Sequence, residues 1–258
     1  MKRIKMNTKI FAFLAVAVMA LSVILPQAAF AATSSQIREA QTIMTKFGLP
    51  TGPIDGLMGP QTQRGLCAFR YISGMAVSRS ATPDSTLLGK LRQYNTNYSS
   101  LKQIPDRKTY NGEYMVAQKT CQVLFHVMNG KFNKAMPMSS GNPSVGIETP
   151  NKPRNADRDY FILGNTQRGW HCSTDYPESC RTETAGRFAY ISDYGNMYNM
   201  RWMNDGGLYV HGSMRVPTYP GSAGCIRVTP ADSDWMWDNV GNNGLIRLYV
   251  EGVYSQNQ

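Results

Sequence analysis

Hydrophobic spacing changes period once along this chain of 258 residues, and that change restricts it to folds with helices first and strands after. Ile37, Ala40, Ile43, Met44 and Phe47 recur at helical spacing, and Gly48 follows where such a helix would stop. After the turn-rich stretch from Leu49 to Gly59, Pro60 sits where a second helix begins, with Leu66, Cys67, Phe69 and Ile72 on its apolar face. Thr82-Pro83-Asp84 opens a third helix, with Leu87, Leu88 and Leu91 inward. From Asn95 to Gly112 the chain is polar and reads as a linker. Beyond it the period becomes two. Cys121 to Met128, Asn129-Gly130 and Lys131 to Ser139 predict a hairpin, because Asn-Gly suits a tight two-residue turn. Further strands are expected at Tyr160–Leu163, Arg187–Ser192, Met197–Met203, Leu208–Val210 and Leu245–Val250, with a helix at Pro230–Val240. The expected class is α+β in two domains: a small three-helix bundle at 32–95, a linker at 96–112, and a mostly-β domain with one late helix at 113–254.

The first 31 residues have the pattern of an export signal. Lys2, Arg3, Lys5 and Lys9 precede the apolar run Ile10–Leu25, and Ala29-Phe30-Ala31 supplies a small-x-small cleavage pattern. That run of 16 residues is short for a membrane span, so the mature chain is expected to be exported and soluble, without stable membrane insertion. The leader holds four of the 27 basic residues and none of the 17 acids, so its loss takes the net charge from +10 to +6. No Lys/Arg run or aromatic-interleaved basic stretch accompanies that charge, which argues against nucleic acid as a partner.

Five cysteines in an oxidising compartment leave one as a thiol, and the other four pair in one of three ways. Cys172 and Cys180 bracket a short loop that a local bridge closes readily. Cys67 and Cys121 then pair by elimination, and Cys225 is the expected thiol.

The neighbourhood of Cys225 carries the chemistry. His211-Gly212 lies 14 residues before it, and the nucleophile candidate sits in Ser222-Ala223-Gly224-Cys225-Ile226-Arg227. A thiol needs a base to become thiolate near neutral pH, and its attack on a carbonyl needs N–H donors for the oxyanion. His211 is the expected base, with its other ring N–H given to the carbonyl of Gly212 or Ser213. The backbone N–H groups of Gly224 and Cys225 are the expected oxyanion donors. Arg227 would hold a substrate carboxylate or brace the loop. Ser222, Ser213 and Tyr219 are the further candidates for substrate contact.

Two resemblances follow from these residues. Gln41, Phe47-Gly48-Leu49, Gly52-Pro53-Ile54-Asp55-Gly56, Gly59-Pro60, Thr62 and Phe69 resemble the pattern of the three-helix peptidoglycan-binding domain. From Glu113 to Gly252 the chain resembles the L,D-transpeptidase catalytic domain family. The resemblance rests on His211-Gly212 with Ser222-x-Gly224-Cys225-Ile226-Arg227, supported by Ser139-Ser140-Gly141 and Thr149-Pro150. Ala223 stands where many members have His, and Asn151 replaces the glycine usual after Thr149-Pro150. The resemblance implies a cysteine acyltransferase that cleaves peptidoglycan stem tetrapeptides after the third residue and joins the acyl group to an amine of a neighbouring stem. It implies acylation by carbapenems, a periplasmic or wall location, and no cofactor or metal.

Competing readings differ in chemistry. A hydrolytic relative, carboxypeptidase or endopeptidase, would use the same His211 and Cys225. An inactive wall-binding protein would have no need of His211, Gly224, Cys225 and Arg227 together, and a generic cysteine protease lacks an evident Asn/Asp partner. His171 with Cys172 and Cys180 would suggest zinc, but an oxidising compartment favours the bridge. The stretch Gly164–Arg181 reads as a lid, and His126 as an ordinary strand-face histidine.

Overall fold

The computed structural model describes residues 32–79, 82–97, 112–154, 160–162, 167–172, 180–182, 188–190, 195–241 and 244–255. The expected leader and nearly all of the expected linker lie outside these residues. Three helices come first: α1 (Ser34–Lys46), α2 (Pro60–Ile72) and α3 (Ser85–Thr96). Each begins on a signal visible in the sequence. Thr33 and Gln36 form a reciprocal capping box on α1, Pro60 takes the first position of α2, and the Asp84 carboxylate accepts from Leu87 N. Gly48, at φ 71°, ends α1 in the left-handed conformation that a side chain disfavours.

Eleven strands and one helix follow among the described residues: β1 (Glu113–Gln118), β2 (Val123–Met128), β3 (Lys131–Ser139), β4 (Tyr160–Ile162), β5 (Gln167–Cys172), β6 (Cys180–Thr182), β7 (Phe188–Tyr190), β8 (Asn196–Trp202), β9 (Tyr209–Gly212), β10 (Ile226–Val228), α4 (Pro230–Asn239) and β11 (Ile246–Glu251). Nine of the strands form one sheet in the order β4-β11-β1-β2-β3-β10-β9-β8-β5, and β6 pairs with β7. The sheet is antiparallel except at β1–β11 and β9–β10. Its ends approach each other, since Ile162 of β4 bridges Met203 just past β8. The expected hairpin turns at Asn129 and Gly130, both with positive φ, although its first strand starts at Val123 rather than Cys121.

Two apolar layers use opposite faces of this sheet. Tyr114, Val116, Phe125 and Ala135 share one core with α1, α2 and α3. Met115, Ala117, Met136, Met138, Val210, Ile226 and Val228 form the second core with Met236 of α4. The strand β1 is therefore covered on both sides, and its residues run buried without alternation. The helical region and the sheet belong to one compact unit spanning Ala31–Gln258. A disulfide between Cys67 of α2 and Cys121 of the β1–β2 turn joins them covalently, with Cα atoms 5.3 Å apart. Tyr71 of α2 stacks on Phe125 at 5.3 Å and donates its hydroxyl to Glu251 at 2.9 Å. A third of the expected lid is an edge strand, because Gln167–Cys172 pairs with β8. Residues 173–179 lie outside the described residues.

Candidate active site

Strands β9 and β10 run parallel, pairing Val210 with Ile226, His211 with Arg227 and Gly212 with Val228. Val210, Ile226 and Val228 point into the second core. By strand alternation, His211 and Arg227 point to the other face, and Cys225, immediately before β10, falls on their side. His211 of β9 pairs with Arg227 of β10, two residues beyond Cys225 in the chain. Arg227 also pairs with Ser139 of β3, so Ser139, Arg227 and His211 make a row across three strands. That row lies on the sheet face which, further along, carries α1–α3.

His211 is 4% exposed, and its Nδ1 lies 2.9 Å from the Gly212 carbonyl. A carbonyl only accepts, so Nδ1 bears the proton and Nε2 keeps the lone pair. Burial, helped by the neighbouring Arg227 charge, pulls the imidazole down to about 4, while the Gly212 carbonyl opposes that shift. The ring is thus neutral at neutral pH. Gly212 itself has no room for a side chain: a Cβ would stand 3.0 Å from the Cβ atoms of Ser233 and Tyr198. Through that contact α4, capped by Thr229, packs directly against β9.

Cys225 is half-buried and takes part in no disulfide, and its Sγ lies 4.0 Å from the Gly207 carbonyl. Gly224 adopts φ 102°, with Leu208 closing the space where a Cβ would be. The Gly224 carbonyl accepts from Thr149 Oγ1 at 2.7 Å, and Thr149 Oγ1 itself accepts from Gly141 N at 2.8 Å. Thr149 is fully buried, and its own carbonyl takes a bond from Lys119 Nζ at 2.8 Å. A Cβ at Gly141 would sit 2.2 Å from the Ile147 carbonyl and 2.8 Å from Gly224 Cα, so this approach needs glycine.

Other candidates serve the loop's own shape. The Ser222 hydroxyl donates to the Cys225 carbonyl, and the Ser213 hydroxyl accepts from Arg215 N at 3.3 Å. Both serines are buried. Arg227 is 4% exposed, and its backbone pairs with Ser139 on one side and His211 on the other. Tyr219 is 45% exposed, with its ring hydroxyl 3.4 Å from Arg215 Nη2. Cys172 is disulfide-bonded, and the side chain of Cys180, its expected partner, lies outside the described residues. His171 is tied to the Arg168 carbonyl at 2.7 Å. Among the described residues no cluster of three His, Cys, Asp or Glu could hold a metal.

Gln122 escaped the sequence reading. Its fully buried amide accepts from Ser140 N and donates to Ser140 Oγ, both at 2.9 Å. Ser140 in turn offers its carbonyl to Gly221 N and Ser222 N at 3.0 and 3.1 Å. The sequence showed only a polar residue beside an apolar run; its left-handed φ of 56° belongs to the folded chain.

In fold the chain is similar to a solved L,D-transpeptidase from Xylanimonas cellulosilytica. That protein is 23% identical, the match covers 86% of this chain and 95% of the other, and the TM-score is 0.50. An L,D-transpeptidase from Stackebrandtia nassauensis is also similar, at 16% identity over 84% and 91% of the two chains, with a TM-score of 0.44. So is L,D-transpeptidase 3 from Mycobacterium tuberculosis, solved with a faropenem-derived adduct, at 16% identity over 55% and 60% of the chains and a TM-score of 0.39. None of the curated protein sequences matches. The family model for the L,D-transpeptidase catalytic domain (YkuD) matches residues 85–248, and the chain belongs to that family.

Proposed function

We propose that this protein is an exported cysteine acyltransferase of the cell wall, in which Cys225 is the nucleophile and His211 its base. The observation that carries this reading is the His211 ring, whose Nδ1 proton is committed to the Gly212 carbonyl and whose Nε2 is left for the thiol. The Cys225 thiol loses its proton to Nε2 and its sulfur attacks the carbonyl of the third residue of a peptidoglycan stem tetrapeptide. The Gly224 N–H makes no hydrogen bond to any described residue, and with the Cys225 N–H it faces the forming oxyanion. Collapse breaks the peptide bond, and His211 returns the proton to the departing D-Ala amine. A side-chain amine of a neighbouring stem then attacks the thioester, its proton passes through His211 to the departing sulfur, and the cross-link forms as the thiol is restored.

Export rests on the basic and apolar leader with its Ala29-Phe30-Ala31 pattern. No described helix is long and apolar enough to cross a membrane. Attachment to the wall is assigned to the helical region, from its peptidoglycan-binding pattern, and Cys225 is expected to be acylated by carbapenems.

Mass analysis of products from wall tetrapeptides tests the reading. Cys225→Ala should abolish D-Ala release and dimer formation while wall binding persists. Turnover surviving in that variant would overturn the mechanism. D-Ala release without dimers in the unsubstituted protein would make it a hydrolase.

A further inference from the structure

Between His211 and Cys225 the chain runs through Pro217-Thr218-Tyr219-Pro220. Two of these four residues have no N–H, so the segment cannot join a strand ladder and must find outside donors for its carbonyls. Three consecutive carbonyls have them. Ser139 Oγ of β3 donates to the Tyr219 carbonyl at 2.8 Å. The other two donors come from the helical region: Arg64 of α2 donates through Nη2 to the Pro217 carbonyl, and Arg79 donates through Nη1 to the Thr218 carbonyl. Arg64 also reaches the Met138 carbonyl at 3.4 Å, next to Ser139.

Both guanidinium groups are buried, Arg64 at 4% exposure and Arg79 at 7%. Neither forms an ion pair with a carboxylate among the described residues, and their like charges oppose each other, as the downward pull of Arg79 on Arg64 shows. Removing such an ion from water costs several kcal/mol, so two buried cations spent on backbone carbonyls mark a strong demand for that loop geometry. The rest of α2 is fixed in turn. Arg64, Cys67 and Tyr71 lie on one helical stripe, and the latter two hold the sheet by a disulfide and by ring stacking. Arg79 packs against the Tyr254 ring with its guanidinium 4.9 Å from the centroid.

We infer that Arg64 and Arg79 are positioning residues for the loop that carries Cys225, so that the helical region shapes the reacting site as well as the enzyme's place on the wall. The catalytic consequence rests on the reading of Cys225 as acyl carrier; the bracing of the loop does not.

Full-length Arg64→Gln, Arg79→Gln and the double variant test both parts. Backbone exchange at Gly221 and Ser222, whose N–H groups bond Ser140, reads the loop directly. In the double variant these amides should exchange about tenfold faster while those of β1 and β2 keep their protection. The kcat for stem-peptide turnover should fall about ten- to a hundredfold, with KM changed by no more than about twofold. Arg79→Lys, which keeps a donor, should recover most of the loss seen in Arg79→Gln. If the double variant does not fold, the single variants carry the same readouts at smaller size. Folded variants with unchanged exchange at 221 and 222, or unchanged kcat, would overturn the inference. Faster loop exchange in a protein whose Cys225 never becomes acylated would support the brace and reject the proposed activity instead.

Discussion

Two irregular stretches of this protein are held in opposite ways. The turn from Leu49 to Gly59 is fixed from nearby. The Gln41 amide donates to Asp55 at 2.9 Å, the Leu57 carbonyl at 3.1 Å and Thr62 at 3.0 Å, and it accepts from Gly56 N at 2.8 Å. All of those groups belong to the helical region. The loop from Ser213 to Cys225 is fixed from far away, by Arg64, Arg79, Ser139, Ser140 and Thr149. A loop that only connects two helices can satisfy its polar groups locally. A loop that passes from one strand to the next beside several other elements must be set relative to all of them at once, so changes remote in sequence reach it.

The largest test of that contrast removes the covalent tie beneath the distant braces. Cys67→Ser with Cys121→Ser opens a link of sequence separation 54, which chain entropy values at about 4 kcal/mol of stability. Urea denaturation should show a loss of that order, and exchange at Gly221 and Ser222 should rise before exchange in the Leu49–Gly59 turn.

Acid should act next most strongly, through His211. Its ordinary value of 6.5 falls to about 4 on folding, so between those values the unfolded chain binds more protons. Stability is therefore full above pH 6.5 and declines as pH falls toward 4, by about 3 kcal/mol from this group. Urea curves at pH 7.5 and 4.5 should differ by about that much more in the unsubstituted protein than in His211→Asn.

Two matched substitutions separate the stretches at smaller scale. Thr149→Val strands Gly141 N and the Gly224 carbonyl, and Gln41→Leu strands Gly56 N. Each should cost about 1–3 kcal/mol of stability in thermal or urea unfolding. Only Thr149→Val should lower kcat, by about a hundredfold; a comparable fall in Gln41→Leu would erase the distinction.

Much of the fold was legible in the chain because its signals are local. The caps of α1 and α3, Pro60 at the start of α2 and the Asn129-Gly130 turn each act within a few residues. The strands that escaped reading did so for physical reasons. Between its edge residues β1 is buried on both faces and shows no alternation, β5 is a part-exposed edge strand, and β10 spans three residues whose companions lie on other strands. His211 and Cys225 stood out because few residue types can fill the roles of base and nucleophile proposed for them. Ser213 and Ser222 stood out beside them, yet the folded chain turns both hydroxyls to the loop's own backbone.

Sequence alone settled the helical and sheet halves and singled out an imidazole and a thiol as candidates for chemistry. These are written either in repeating intervals of two to four residues or in reactive side chains. Folding decided that Arg64 and Arg79 serve Pro217 and Thr218, 153 and 139 positions away, and that Thr149 binds Gly224 across 75. Contacts at such separations follow no interval. They exist only once the sheet has brought β3, β9 and β10 together beside α2, where buried carbonyls take the nearest available donors.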